Sequence, residues 1–457
     1  MITRCRTPHF LTKFLAIAAV ASLFTFTDAS TAFGQDLSPT TKRSGIWYGG
    51  QYFGFDPQRA RLASDQQPAV EEEQAPSGEE PTAPGEMLPR NPDVRPFEAD
   101  EFCDDSEMCA PPSKLWARGE FLLWWMKGMS LPPLATTDPN GGVLPNATVL
   151  FGGTTVNDDL LPGGRFTLGL WTDECNSQGI EASYLFLSRA SAGFNGSSAT
   201  FDVLARPFTD VNPDSLGNTA DVIVSEGNTT GSLAISATSQ LHSFDILWRW
   251  NLGSADCCTT DLMVGYRHMQ LIDSILINET ILTTGTAAPG TSTSLFDQFG
   301  TRNTFHGAEF GIFFQRRLND CWALDFTAKG ALGQVNSSIG IAGQTRTTPA
   351  AGTSTFADVG LLAQSTNSGQ FSQSEFTAIG DFNLNLRREL PCGWRANLGY
   401  SLIVWGDVLR AGDQIDLNVN TSQIPPGTLT GDPRPLVPFA STNFWAHGLQ
   451  IGVQRSF

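Results

Sequence analysis

No uncharged apolar run in the 457-residue chain reaches 18 residues, so helices that span a bilayer are excluded. Basic residues are scarce as well. There are 28 Lys and Arg against 46 Asp and Glu, a net charge of −18, and no basic patch, which removes nucleic acid from the partners to consider. Only 5 histidines occur, and one lies in the first ten residues; the others are His242, His268, His306 and His447. A general base or nucleophile activator therefore has few candidates. No CxxC pair is present, so zinc lacks its usual ligand spacing. No catalytic set, metal or cofactor is expected on these grounds. A hydrolase assembled from residues that meet only in space is the remote alternative.

What is present begins with an export signal. Arg4, Arg6 and Lys13 lead into an uncharged apolar run from Phe14 to Phe26, the layout of a signal peptide over residues 1–34, cleaved after Ala29 or Gly34. From Asp56 to Glu107 there are 15 acidic and 4 basic residues among repeated prolines. Charge and proline together predict a disordered periplasmic linker over 35–113. Such a segment suits a flexible tether, or contact with cell-wall material or a basic partner. The aromatic patch Gly45–Phe55 fits either a docking element or a plug strand.

The last residues, NFWAHGLQIGVQRSF, show the pattern that organises the rest. Trp445, Leu449, Ile451, Val453 and Phe457 fall on one side of a two-residue alternation. Ala446, Gly448, Gln450, Gly452, Gln454 and Ser456 fall on the other. That is a strand with one apolar and one small or polar face, similar to the closing strand of bacterial outer-membrane proteins. Alternating segments recur near 115–127, 164–173, 178–190, 241–252, 260–272, 304–317, 322–337, 372–388, 393–406 and 443–457. The gaps alternate between short (ECNSQ, GSADCC, LND, LPC) and long, polar and rich in Gly, Thr and Pro. Soluble sandwiches lack that asymmetry, whereas membrane barrels have short periplasmic turns and long outer loops. The expectation is an all-β, transmembrane antiparallel β-barrel of ten strands over 114–457 in the bacterial outer membrane. Twelve strands is the alternative, because Ser191–Gln240 has room for another hairpin. Of 11 tryptophans, ten lie at strand ends. Trp116, Trp171, Trp248, Trp250, Trp322 and Trp394 fall near the short turns, and Trp124, Trp125, Trp405 and Trp445 near the long loops. Two aromatic girdles are therefore expected at the two interfaces.

The charges on the inward parity are the candidate pore lining: Arg118, Glu120, Glu181, Arg189, Asp245, Arg249, Asp261, Arg267, Glu309, Arg317, Asp325, Lys329, Asp381, Arg387 and Arg395. Near balance of sign suggests pairing across a narrow interior rather than a one-sign selectivity ring. The four histidines fall on the lipid-facing parity. Seven cysteines map to the periplasmic side and are candidates for disulfides: Cys103, Cys109, Cys175, Cys257, Cys258, Cys321 and Cys392.

The run Leu115–Thr137, LWARGEFLLWWMKGMSLPPLATT, resembles the opening of the uncharacterised bacterial β-barrel porin family 7. Phe121, Leu123, Trp124, Trp125, Pro132, Pro133, Leu134, Thr136 and Thr137 carry the resemblance, which extends over Leu115–Phe457. It implies an outer-membrane barrel with a porin-like role and supplies no site residues. The first expectation is a passive channel for small solutes. The alternative is a plugged structural or surface-interaction barrel with long extracellular loops.

Overall fold

The computed structural model describes residues 45–48, 51–54, 114–255 and 257–457. The expected signal peptide, nearly all of the linker, and Cys103 and Cys109 lie outside the described residues. In the aromatic patch, Gly45–Tyr48 pairs antiparallel with Gln51–Gly54, setting Trp47 opposite Tyr52. This hairpin belongs to a unit of its own, Thr31–Ser106.

Ten strands form the wall of the other unit: β1 (Leu115–Met126), β2 (Leu161–Trp171), β3 (Gln178–Leu187), β4 (Thr229–Ala255), β5 (Cys258–Thr283), β6 (Ser292–Arg317), β7 (Trp322–Thr348), β8 (Gly369–Glu389), β9 (Trp394–Leu409) and β10 (Ser441–Ser456). Each pairs antiparallel with the next. β10 then pairs with β1, from Ala446↔Met126 to Ser456↔Trp116. A last rung is added where the Phe457 amide donates to the Leu115 carbonyl at 2.8 Å. The ladder is therefore closed and has no free edge.

The alternation decides which face is which. Phe121, Phe166, Leu168, Phe310, Ile312, Leu384, Leu398 and Ile451 all point outward and are exposed, an apolar band that only lipid covers favourably. The band ends in a belt of polar-tipped rings. Tyr184 Oη meets His242 Nδ1 at 3.0 Å, Tyr266 meets His306 at 2.5 Å, and Tyr400 meets His447 at 2.5 Å. Trp125 and Trp445 flank His447. Rings with an apolar body and a polar tip belong at the headgroup level.

Past this belt the outward parity turns polar, as in Gln240, Thr238 and Ser236 of β4 and Gln334, Asn336 and Ser338 of β7. β4 and β7 have 27 residues each, and β5 and β6 have 26. About ten residues suffice to cross the hydrocarbon. The outer halves of these four strands therefore stand in water. The alternation read from sequence stopped at their lipid-covered halves, because beyond the belt the outward face is mostly polar, with only scattered apolar residues such as Ile272 and Leu276 of β5.

Two expectations need correction. Ser191–Gln240 does hold a hairpin, Val203–Asp210 with Gly217–Ser225. It does not widen the ring, because β3 pairs directly with β4. The hairpin sits at the outer mouth instead, with Ala205 opposite Thr136 and Thr209 beside Asn418. The tryptophans also divide. Trp116, Trp124 and Trp405 are buried inside the barrel, and the ring of Trp171 lies under the buried Arg249 guanidinium. Being near a strand end sets height, whereas parity sets side, and these four have the inward parity. The rest remain with the girdles.

Gly448 marks how tightly the ring closes. A Cβ there would come within 2.2 Å of the Leu123 carbonyl oxygen and 2.6 Å of the Trp124 Cα. Gly448→Val is expected to abolish the compact band that unboiled barrel shows on a detergent gel. Leu449→Val, one residue away on the lipid face, is expected to keep it.

Candidate functional site

The inward face of β5 runs through the interior level by level: Asp261, Met263 and Arg267, then Met269 and Leu271, then Asp273, then Ile275 and Ile277, then Glu279. All of these side chains are buried. Charged and apolar layers alternate from the turn end to the outer mouth.

The innermost layer is a network of ion pairs and hydrogen bonds to which all ten strands contribute, β10 through the uncharged Gln450. Arg249 of β4 bridges Glu181 at 2.5 Å and Asp261 at 2.7 Å. Arg267 bridges Glu309 at 2.8 Å and Asp381 at 2.9 Å. Lys329 lies 3.3 Å from Asp245 and 3.8 Å from Glu309. Glu120 takes Arg165 at 2.7 Å, with Arg118 at 3.5 Å. Arg165 also donates to Gln450 at 2.6 Å, and Gln450 donates to Asn383 and Asn385. Nearer the turns, Arg387 pairs with Asp325 at 3.1 Å and Arg395 with Glu389 at 2.9 Å. A charge cannot be buried at tolerable cost without a partner, so an interior this narrow has to balance its signs.

Thirteen of the fifteen candidate charges are thus brought into ion pairs. Arg189 and Arg317 are not among them. Arg189 follows β3 in a connecting loop and Arg317 is the last residue of β6, and both are exposed. The alternation was counted past the point where it holds. Arg165 was missed although it shares the inward parity of β2. The uncharged members Asn383, Asn385, Asn397, Ser401 and Gln450 carry no formal charge to flag them.

Above this layer an apolar cluster, including Trp124, Phe305, Trp405 and Phe444, fills the bore. Next comes Arg410, which joins Asp273 and donates to the Lys127 and Gly128 carbonyls and to Ser239. Higher still, a second apolar cluster packs the loops against the outer strand halves. Within it Arg206 of the mouth hairpin bridges Glu279 at 2.9 Å and Asp297 at 2.5 Å. Asp297 also accepts the amides of Leu362 and Ala363. Arg410 lies in a loop, where no periodicity points inward; Arg206 lies in the hairpin strand Val203–Asp210, where Leu204 to Phe208 are all buried and no alternation singles it out.

The histidines lie on the outer face, as their parity required: His242, His306 and His447 in the belt described above, and His268 with its ring 4.8 Å from that of His306. Of the cysteines, Cys175, Cys321 and Cys392 are disulfide-bonded. Cys257 and Cys258 depart from the expectation: both thiols are free, with their sulfurs 3.3 Å apart.

Two predictions follow from this packing. Arg267→Ala leaves Glu309 and Asp381 with only the more distant Lys329, at 3.8 and 3.9 Å, at a cost of up to about 3–5 kcal/mol, to be measured as a fall in the urea midpoint of the vesicle-inserted protein. The second concerns Asp210, which ties the mouth hairpin to the 421 loop by accepting from the Asn212 amide, Ser215 Oγ and Thr421 Oγ1. Burial pushes its carboxyl up, but these donors outweigh burial and hold it below the usual carboxylate range. The contact is therefore complete above the ordinary carboxylate pKa of about 3.9 and is lost as pH falls through the lowered value. Hydrogen exchange in the 418–424 segment should accelerate over that acid range, and Asp210→Asn should abolish the acid step.

The geometry has a family. The family described as Putative beta barrel porin-7 (BBP7) matches residues 116–457. No curated protein matches the sequence. Among solved structures, the outer membrane protease OmpT of Escherichia coli is 9% identical, over 76% of this chain and 97% of its own, at a TM-score of 0.36. A Pseudomonas aeruginosa FadL homologue is 9% identical over 75% and 90%, at 0.19. The outer membrane channel DcaP of Acinetobacter baumannii is 7% identical over 75% and 96%, at 0.14. Superpositions this loose decide nothing about function. The match over three-quarters of the sequence does decide membership: the chain belongs to the beta barrel porin-7 family, and it is a porin-like barrel of the bacterial outer membrane.

Proposed function

We propose that the protein is a plugged outer-membrane barrel whose packed outer head serves contacts outside the cell. The observation that carries this reading is the stacking of layers along the bore. A solute would have to displace Arg267 from both of its carboxylates, then pass the fully buried Trp124, Phe305 and Trp405. Removing one partner of a buried ion pair costs about 3–5 kcal/mol, before any packing is disturbed. The placement of the histidines on the outer wall, away from the interior, supports a role without catalysis.

A passive conduit for small solutes is the second reading. It is favoured by the porin-like family and by how the outer mouth is closed. There the barrier consists of the mouth hairpin and loop segments, held by the Arg206 and Arg410 side chains and by short backbone pairings, which are easier to release than the long ladders of the wall.

Planar-bilayer recording of the refolded full chain separates the two. Silence is expected for the wild type at high protein. Step-like openings at rest would overturn the plugged reading and support the conduit.

A further inference from the structure

A cleft of ≈ 740 Å³ lined by Trp125, Lys127, Asp158, Asp413, Trp445 and His447 opens in the interface belt. It lies where the outer end of β1 meets the start of β10. Trp125, Trp445 and His447 stand on the outward parity, so the cleft meets the membrane at headgroup height. Its floor is held from behind. Arg410 donates to the Lys127 and Gly128 carbonyls and engages its remaining donors with Asp273 and Ser239. The Lys127 amide donates to the Trp445 carbonyl at 2.8 Å. Arg410 therefore shapes the site and is not free to bind there.

Lys127 is different. Its ammonium donates to Thr442 Oγ1 at 2.7 Å and to the Asn443 carbonyl at 2.6 Å. An ammonium has three donors, so one remains. Asp158 is exposed and Asp413 is half-buried on the same cleft. The cleft thus offers a fixed cation, two carboxylates and two indole faces that continue into the lipid band.

We propose that this cleft binds the headgroup of a membrane lipid that carries a phosphate and a primary amine. The phosphate takes the third donor of Lys127, the amine faces Asp158 and Asp413, and the acyl chains lie along Trp125, Trp445 and Leu449. The mixed charge of the lining disfavours a purely anionic headgroup, which would meet the two acids, and a quaternary amine, which has no N–H to give them.

Delipidated full-length protein in a non-ionic detergent is titrated with phosphatidylethanolamine, phosphatidylglycerol and phosphatidylcholine, and retained lipid is counted by native mass spectrometry. Phosphatidylethanolamine should be retained at least several-fold better than the other two. Lys127→Ala should weaken it about tenfold, the factor worth 1.4 kcal/mol, with Lys127→Arg largely restoring it. The pair Asp158→Asn and Asp413→Asn should remove the preference over phosphatidylglycerol. Heat-modifiable gel mobility checks that each variant is folded, and the wild-type lipid ranking stands whether or not the variants fold. Equal retention of all three lipids by the wild type, or no effect of folded Lys127→Ala, overturns the proposal. Saturation by free phosphoethanolamine as tightly as by the lipid overturns its membrane source.

Discussion

Hydrocarbon accepts no hydrogen bonds, and that single fact organises the molecule. Every peptide group in the apolar band must find a partner within the wall, so the sheet closes on itself, down to the Phe457 amide on Leu115. Closure at ten strands leaves a bore only slightly wider than one that side chains fill. The inward faces are therefore forced into contact with one another. Charges there must be matched, and Arg249, Arg267 and Lys329 each sit between two or more carboxylates.

The same wall serves two solvents. Below the Tyr–His belt, β4–β7 present aromatic and aliphatic residues to lipid. Above it they present mainly Gln, Ser, Thr and Asn to water, with no break in the ladder. Inside, the packing does not change character at the belt, because buried apolar clusters lie on both sides of that height. The outer head is thus a continuation of the barrel and not a cap placed upon it. Its loops are tied to the wall by Arg206 and Arg410, and by backbone pairing of short segments such as Ala135–Thr137 with Thr148–Phe151.

Much of this was legible in the sequence where lipid imposes a rule. The ten crossing segments, the side on which Asp245, Glu309 and Asp381 fall, and the outward histidines all follow from a period of two with one apolar face. Legibility failed where that rule lapses. The outer halves of β4–β7 lost their apolar face to water and read as loop. Trp124 and Trp405 were placed by height alone, Arg189 by an alternation extended beyond its strand, and Arg317 by one carried to the exposed last residue of β6. Arg206 and Arg410 were out of reach, because the partner of a residue in a mouth hairpin or a loop depends on where that segment returns.

The unequal strand lengths have a consequence for how the barrel meets its neighbours. Four consecutive strands, β4–β7, rise well above the belt, while β3 has 10 residues, β2 has 11 and β1 has 12. A ring closed by identical rungs would look the same from every direction in the plane of the membrane. This one does not: it has a tall flank and a low flank, and the low flank holds the junction of β10 with β1. A molecule diffusing laterally meets bare strand from one bearing and loops from the other. The barrel therefore has a heading within the bilayer, and lateral encounters are sorted by compass direction before any specific contact is made.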